Sequence, residues 1–164
     1  MIAPGVQDFE KLRMSGSFYV DKTDFIREWW KGCDAVTLIA RPLGFGKTLN
    51  MSMLNCFFSN QYAGRNDLFE GLKVWEDPAM REEQGKWPVI FPSFADVKGS
   101  TYAIAMKQIK TALVKAFSAH AELYQTDIFL RNEQEVFNRI SVDMDDIDAA
   151  MSLHMISRLL EKIH

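Results

Sequence analysis

The stretch VTLIARPLGFGKTLNMSML, residues 36–54, constrains the fold of this chain more than any other part of its sequence. Residues 35–40 form an apolar run without polar alternation, which predicts a strand buried on both faces, as in a parallel sheet. Residues 47–59 place large apolar side chains at three- and four-residue spacing, which predicts an amphipathic helix. A buried strand, a glycine-containing loop and a helix in succession predict a βα unit.

The loop between that strand and that helix, residues 41–48, is called the glycine loop below. Its end matches the last three positions of the phosphate-binding pattern Gly-x-x-x-x-Gly-Lys-Ser/Thr, while Arg41 stands at the first glycine position. Gly46 lets backbone amides approach phosphate oxygens, and the following helix presents its positive end there. Lys47 supplies a full positive charge, and Thr48 offers a hydroxyl ligand to Mg²⁺. Gly44 adds flexibility, so the pattern predicts a nucleotide site.

The remainder of the chain alternates helix and strand signals. The pattern predicts a helical turn within residues 8–14, a helix capped by Asp21 or Thr23 and ended by Gly32, and a strand at 88–94 that Pro92 disfavours. Residues 60–86 are predicted as loops with short helical pieces, followed by helices near 100–123 and 145–163. This order predicts one α/β domain over residues 1–164, with an irregular lead-in at 1–20 and a mostly parallel sheet flanked by helices.

Composition narrows the functional classes. The net charge of −3 gives no electrostatic case for nucleic-acid binding. The sequence shows neither a secretory signal nor an apolar run of roughly 18 residues, so we expect a cytoplasmic protein without a membrane segment. Cys33 and Cys56 are predicted to be reduced, buried or half-buried thiols, with a disulfide or a reactive thiol as the alternative. The acidic cluster at 143–148 is interpreted as helix capping rather than a metal site, and the three histidines as surface residues.

Several sequence blocks together resemble a known family. YVDKTDFI, LIARPLGFGKTLNMSMLNCFF, LFEGL and PVIFPSF resemble the bacterial proteins described as predicted AAA-ATPase-like, over nearly the whole chain. That family's loop typically reads R-P-R-R-F-G-K-T, so the resemblance makes Arg41 a family feature, whereas Leu43 and Gly44 replace family arginines. The resemblance implies ATP and Mg²⁺ as cofactors, Lys47 as the catalytic residue and Thr48 as the metal ligand. The predicted nucleotide-binding residues are Arg41, Pro42, Leu43, Gly44, Phe45, Gly46, Lys47, Thr48 and Leu49.

The acidic residue that hydrolysis requires has no convincing counterpart in this sequence. Asp96 follows an apolar run interrupted by a proline, and it is only a weak candidate for this role, as is Asp21. For Asp21 and Lys22 the alternative is a structural role in helix capping. In related proteins an acidic strand, the Walker B strand, follows the helix that here ends at His164. We therefore expect an incomplete P-loop domain, the N-terminal portion of a larger ATPase, and we do not expect efficient hydrolysis by this chain alone.

Other interpretations stay open at this point. Arg41 could contact phosphate or a neighbouring subunit of a homo-oligomer, or it could pair with an acidic residue beside the strand. The chain could be a non-catalytic interaction module with a relic P-loop. It could also be a small-molecule kinase, although residues 60–86 carry only Arg65 and Arg81 and so lack an arginine-rich lid. Nucleic acid, not indicated by the charge, remains an option for a full-length protein.

Overall fold

A computed structural model describes residues 5–42, 44–120 and 131–162. The described chain contains seven α-helices: α1 (Phe9–Met14), α2 (Asp24–Gly32), α3 (Lys47–Phe58), α4 (Pro78–Glu83), α5 (Tyr102–Ser118), α6 (Arg131–Arg139) and α7 (Asp146–Glu161). Three short 3₁₀ turns, Asn60–Tyr62, Asn66–Leu68 and Lys73–Glu76, lie between α3 and α4. The chain divides into two compact units, Met1–Val89 and Ile90–His164.

The predicted parallel sheet is wrong for the part of the chain that the structure describes. The only β-pairing found there is an isolated parallel bridge between Ser59 and Trp87. Residues 35–40 form no strand pairing with any described residue, and Val36 and Leu38 are 86% and 87% exposed. Residues 88–94 form no ladder either. The α/β assignment fails because a strand needs a partner from elsewhere in the molecule to satisfy its backbone, and neither run has one among the described residues.

The helix predictions fare better because helical hydrogen bonds are local. The helix expected at 47–59 is α3, and those expected near 100–123 and 145–163 contain α5 and α7, although residues 121–123 and 163 lie outside the described residues. At the end of α2 the left-handed conformation falls on Cys33, with φ 50°, rather than on Gly32. Residues 60–86 are indeed short turns and one short helix.

The first unit is built around an aromatic core. The Phe57 ring packs edge-on against Phe58 and Phe69, with centroids 5.0 Å apart in both pairs, and Phe69 stacks on Phe9 at 5.3 Å. Such pairs contribute about 0.5–1.5 kcal/mol each beyond their buried area. The first amide of α1, that of Phe9, donates to the buried Ser52 hydroxyl at 3.0 Å. These contacts fix α3, and with it the glycine loop, against α1.

The second unit packs α5 against α7, with α6 contributing Phe137. Ile156, Leu159 and Leu160 of α7 are buried as its periodicity predicts, whereas Ile147 is 75% exposed. The Asp145 side chain caps α7 by accepting from the amide of Asp148 at 2.7 Å, so the capping interpretation is confirmed for Asp145. Asp146 and Asp148 instead form ion pairs with Lys110 and Arg139. His120 was expected at the surface, but it is fully buried after α5.

Candidate functional site

The glycine loop leads directly into the first turn of α3. Gly44 and Gly46 have φ values of 84° and 74°, a left-handed conformation that costs other residues about 1–2 kcal/mol. Gly46 is the N-cap residue, and the first hydrogen bond of the helix runs from the Asn50 amide to the Gly46 carbonyl at 2.9 Å. The amides of the three residues before Asn50 therefore have no acceptor within the helix.

The start of α3 also differs chemically from the other described helix starts. Side chains cap α1, α4, α5 and α7, through Asp8, Asp77, Thr101 and Asp145. Neither α2 nor α3 has a side-chain cap, but α2 carries an aspartate in its first turn whereas α3 has no acidic residue there. The first turn of α3 thus has no anionic side chain among the described residues, a situation that favours an external anion.

Lys47 folds back over the loop that precedes it. Its ammonium donates to the carbonyl oxygens of Arg41 and Pro42, the second at 3.0 Å. Both hydrogen bonds are exposed, so water can replace the ammonium at these carbonyls. The Lys47 ammonium therefore lies beside the loop in contact with solvent and is not part of a buried ion pair.

The other predicted residues of the loop are mostly accessible. Phe45 is 62% exposed, and Arg41, Pro42, Gly44 and Thr48 are exposed as well. Leu49 is half-buried against the core of the first unit, so its side chain supports the helix. Leu43 lies outside the described residues. Arg41 forms no ion pair with a described residue, so the acidic partner considered for it is not found there.

The first candidate carboxylate, Asp21, is already engaged in hydrogen bonds. Both oxygens of Asp21 are engaged: one accepts from the Thr23 amide and hydroxyl, at 2.8 and 2.7 Å, and the other accepts from the Lys73 amide at 2.8 Å. Burial raises the pKa of this carboxyl, but the hydrogen bonds outweigh it and the pKa is lowered. Asp21 therefore joins the start of α2 to the turn Lys73–Glu76.

The second carboxylate, Asp96, is exposed and belongs to the second unit. Among the described residues no group of three or more His, Cys, Asp or Glu side chains could hold a metal ion. A single hydroxyl ligand such as Thr48 is compatible with Mg²⁺, because this ion usually takes one or two protein ligands and completes its coordination with phosphates and water.

A cavity that the sequence did not predict lies beside the glycine loop. It has a volume of about 180 Å³ and is lined by the segment 18–20, by Gly46, Leu49 and Asn50, and by Val6, Leu12 and Lys22. The sequence contained one indication of it, the run of large apolar side chains Phe18, Tyr19 and Val20, but these residues were predicted to belong to an irregular lead-in. A larger cavity of about 310 Å³ lies in the second unit beside α6 and α7, and no predicted site residue lines it.

These features define a largely helical protein in which a glycine-lysine-threonine loop opens an uncapped helix. The chain belongs to the family described as "Predicted AAA-ATPase", whose family model matches residues 3–162. No curated protein and no solved structure matches the chain. No helix in the described part of the chain is long and apolar enough to cross a membrane.

Proposed function

We propose that this chain binds ATP together with Mg²⁺ at the glycine loop, as part of an ATPase. The observation that carries the proposal is the start of α3, where amides without helical acceptors lie beside the Lys47 ammonium. No acidic residue lies in the first turn, and no described carboxylate forms an ion pair with Lys47. Charge-assisted hydrogen bonds to phosphate are shorter and stronger than those to neutral carbonyls. A triphosphate therefore draws the Lys47 ammonium away from the two loop carbonyls that hold it.

Each loop residue then has a task. The glycine backbone and the first amides of α3 hold phosphate oxygens, Lys47 neutralises their charge, and the Thr48 hydroxyl is a ligand for Mg²⁺. When bound, Mg²⁺ would neutralise part of the phosphate charge. Membership of a predicted ATPase family supports this assignment, and the two free cysteines suit a cytoplasmic, reducing setting.

We propose that ATP hydrolysis needs a carboxylate from outside the glycine loop, because the loop itself contains none. Asp21 is already held by three donors, so we do not assign it to the metal. The chain alone is expected to bind nucleotide and release phosphate slowly. A kinase role gains no support from residues 60–86, because Arg65 pairs with Glu10 and Asp67 and Arg81 donates to the Trp75 carbonyl at 2.6 Å.

The experiment is a thermal unfolding series with and without Mg-ATP. A ligand that binds only the folded state stabilises it by about 2.7 kcal/mol at a hundredfold excess over Kd, so the wild-type midpoint should rise. Lys47→Ala should abolish the rise. Lys11→Ala is the matched control, because it removes the same charge from a side chain that is 81% exposed in the same unit. A folded wild-type protein with no shift at millimolar Mg-ATP contradicts the proposal.

A separate variant tests the assignment of Thr48 as the Mg²⁺ ligand. Thr48→Val keeps the size of the side chain and removes the hydroxyl. The midpoint shift of this variant should be the same with ATP alone and with Mg-ATP, whereas the wild type should gain more with Mg²⁺. An undiminished Mg²⁺ effect in Thr48→Val would remove Thr48 from the metal site while leaving nucleotide binding in place.

A further inference from the structure

The cavity beside the glycine loop continues the proposed phosphate site. Gly46, the last residue before α3, forms part of its wall, and Leu49 and Asn50 of the first helical turns form another part. The rest of the lining comes from the segment 18–20 and from Val6, Leu12 and Lys22. All of these residues belong to the first unit. A ligand with phosphates on the glycine loop therefore has this cavity as its neighbour.

The size of the cavity limits what it can hold. Pockets that enclose a drug-sized ligand measure about 300–1,000 Å³, whereas this one measures about 180 Å³. It is too small for a whole nucleotide and large enough for a portion of one. A planar ring system is the portion of a nucleoside triphosphate that lies away from the phosphates.

The lining has the chemistry that a nucleobase requires. Phe18 is 69% exposed, so its ring face is available for stacking rather than used in the core. Stacking on an aromatic face binds any base, because every base has a π-face. Asn50 adds a hydrogen-bond donor and an acceptor, and its side-chain amide has no hydrogen bond to any described residue.

The walls of the cavity are also held in place. Tyr19 donates from its hydroxyl to the Met53 sulfur of α3 at 3.3 Å, and its ring meets Phe9 edge-on with centroids 5.6 Å apart. Asp21 fixes the end of the segment through the Lys73 amide. The segment 18–20 therefore keeps its position beside α3 without a ligand, which lowers the entropic cost of binding one.

We infer that this cavity binds the base of a nucleoside triphosphate, with Phe18 as the stacking residue and Asn50 as the polar contact. The inference rests on the proposed function, because the phosphates must lie on the glycine loop. It adds that the site takes a nucleoside triphosphate in preference to an inorganic polyphosphate.

The test compares two ligands, Mg-ATP and Mg-tripolyphosphate, by calorimetric titration of the purified chain. Phe18→Ala should weaken Mg-ATP binding about tenfold and leave tripolyphosphate binding unchanged, since only the first ligand has a base to stack. Phe18→Trp should keep Mg-ATP affinity near the wild-type value. Phe94→Ala, which removes an aromatic ring 45% exposed in the second unit, is the control and should alter neither affinity.

The outcomes distinguish a failure of the base pocket from a failure of the proposed phosphate site at the glycine loop. Equal affinity of the wild type for both ligands, or equal weakening of both by Phe18→Ala, overturns the base pocket while the phosphate site stands. Wild-type protein that binds neither ligand overturns both. Loss of both ligands in Lys47→Ala, together with selective loss of Mg-ATP in Phe18→Ala, supports both.

Discussion

The Lys47 ammonium lies 3.0 Å from the carbonyl oxygen of Pro42, five residues earlier in the chain. The lysine at the start of α3 thereby closes the loop that leads into its own helix. It also donates to the Arg41 carbonyl, so the residue at the first glycine position of the pattern contributes its backbone here. The carbonyls and the ammonium face solvent, which makes the contact exchangeable.

Lys47→Ala should therefore leave the ligand-free protein nearly as stable as the wild type. Water can take over both exposed carbonyls, and surface substitutions of this kind usually change stability by no more than about 0.5 kcal/mol. The measurement is urea unfolding followed by tryptophan fluorescence, since all four tryptophans, Trp29, Trp30, Trp75 and Trp87, lie in the first unit. A loss of several kcal/mol without nucleotide would show that Lys47 is structural.

Leu38→Ala and Leu68→Ala form a matched pair that tests the correction of the fold. Leu38 is 87% exposed and Leu68 is fully buried. The first change should cost no more than about 0.5 kcal/mol, and the second about 2–5 kcal/mol, because only the second leaves a cavity. Tryptophan fluorescence in urea again reports the first unit. Comparable losses in the two variants would mean that residues 35–40 are buried after all.

Asp21→Asn should destabilise the first unit at neutral pH by about 1–3 kcal/mol, because a charged acceptor of three hydrogen bonds is replaced. The pKa of Asp21 is lowered in the folded state, so its contribution is present above the ordinary value of 3.8 and is lost as the pH falls below it. The difference between wild type and variant should shrink between pH 7 and pH 3. Asp34→Asn, at an exposed position, is the control; a pH-independent difference for Asp21→Asn would contradict the assignment.

The two cysteines should react with a thiol reagent at very different rates. Cys33 is exposed after α2, whereas Cys56 is 1% exposed within α3 and burial raises its pKa to about 11. Because the thiolate is the reactive form, one thiol per chain should react in the folded protein and two in denaturant. Cys33→Ser should remove the fast reaction. A fast phase that persists in this variant would indicate that Cys56 becomes accessible in the folded state.

Much of the local structure could be predicted from the sequence. The spacing of Leu49, Met53 and Phe57 predicts α3, and Asp145 is recognisable as the cap of α7. The expectation for the cysteines was half right: Cys56 is buried, but Cys33 is exposed. The placement of the glycine loop before a helix follows from the same pattern, because turns and helix starts depend on neighbouring residues.

The sequence by itself determined the helices, the glycine loop at the start of α3 and the family resemblance. The tertiary structure decided the rest. It left Val36 and Leu38 exposed, engaged both oxygens of Asp21 and brought the segment 18–20 beside Asn50. The physical reason is the range of the interactions. A helix satisfies its backbone within four residues, whereas a strand, a cavity or the Asp21–Lys73 contact depends on partners far away in the chain.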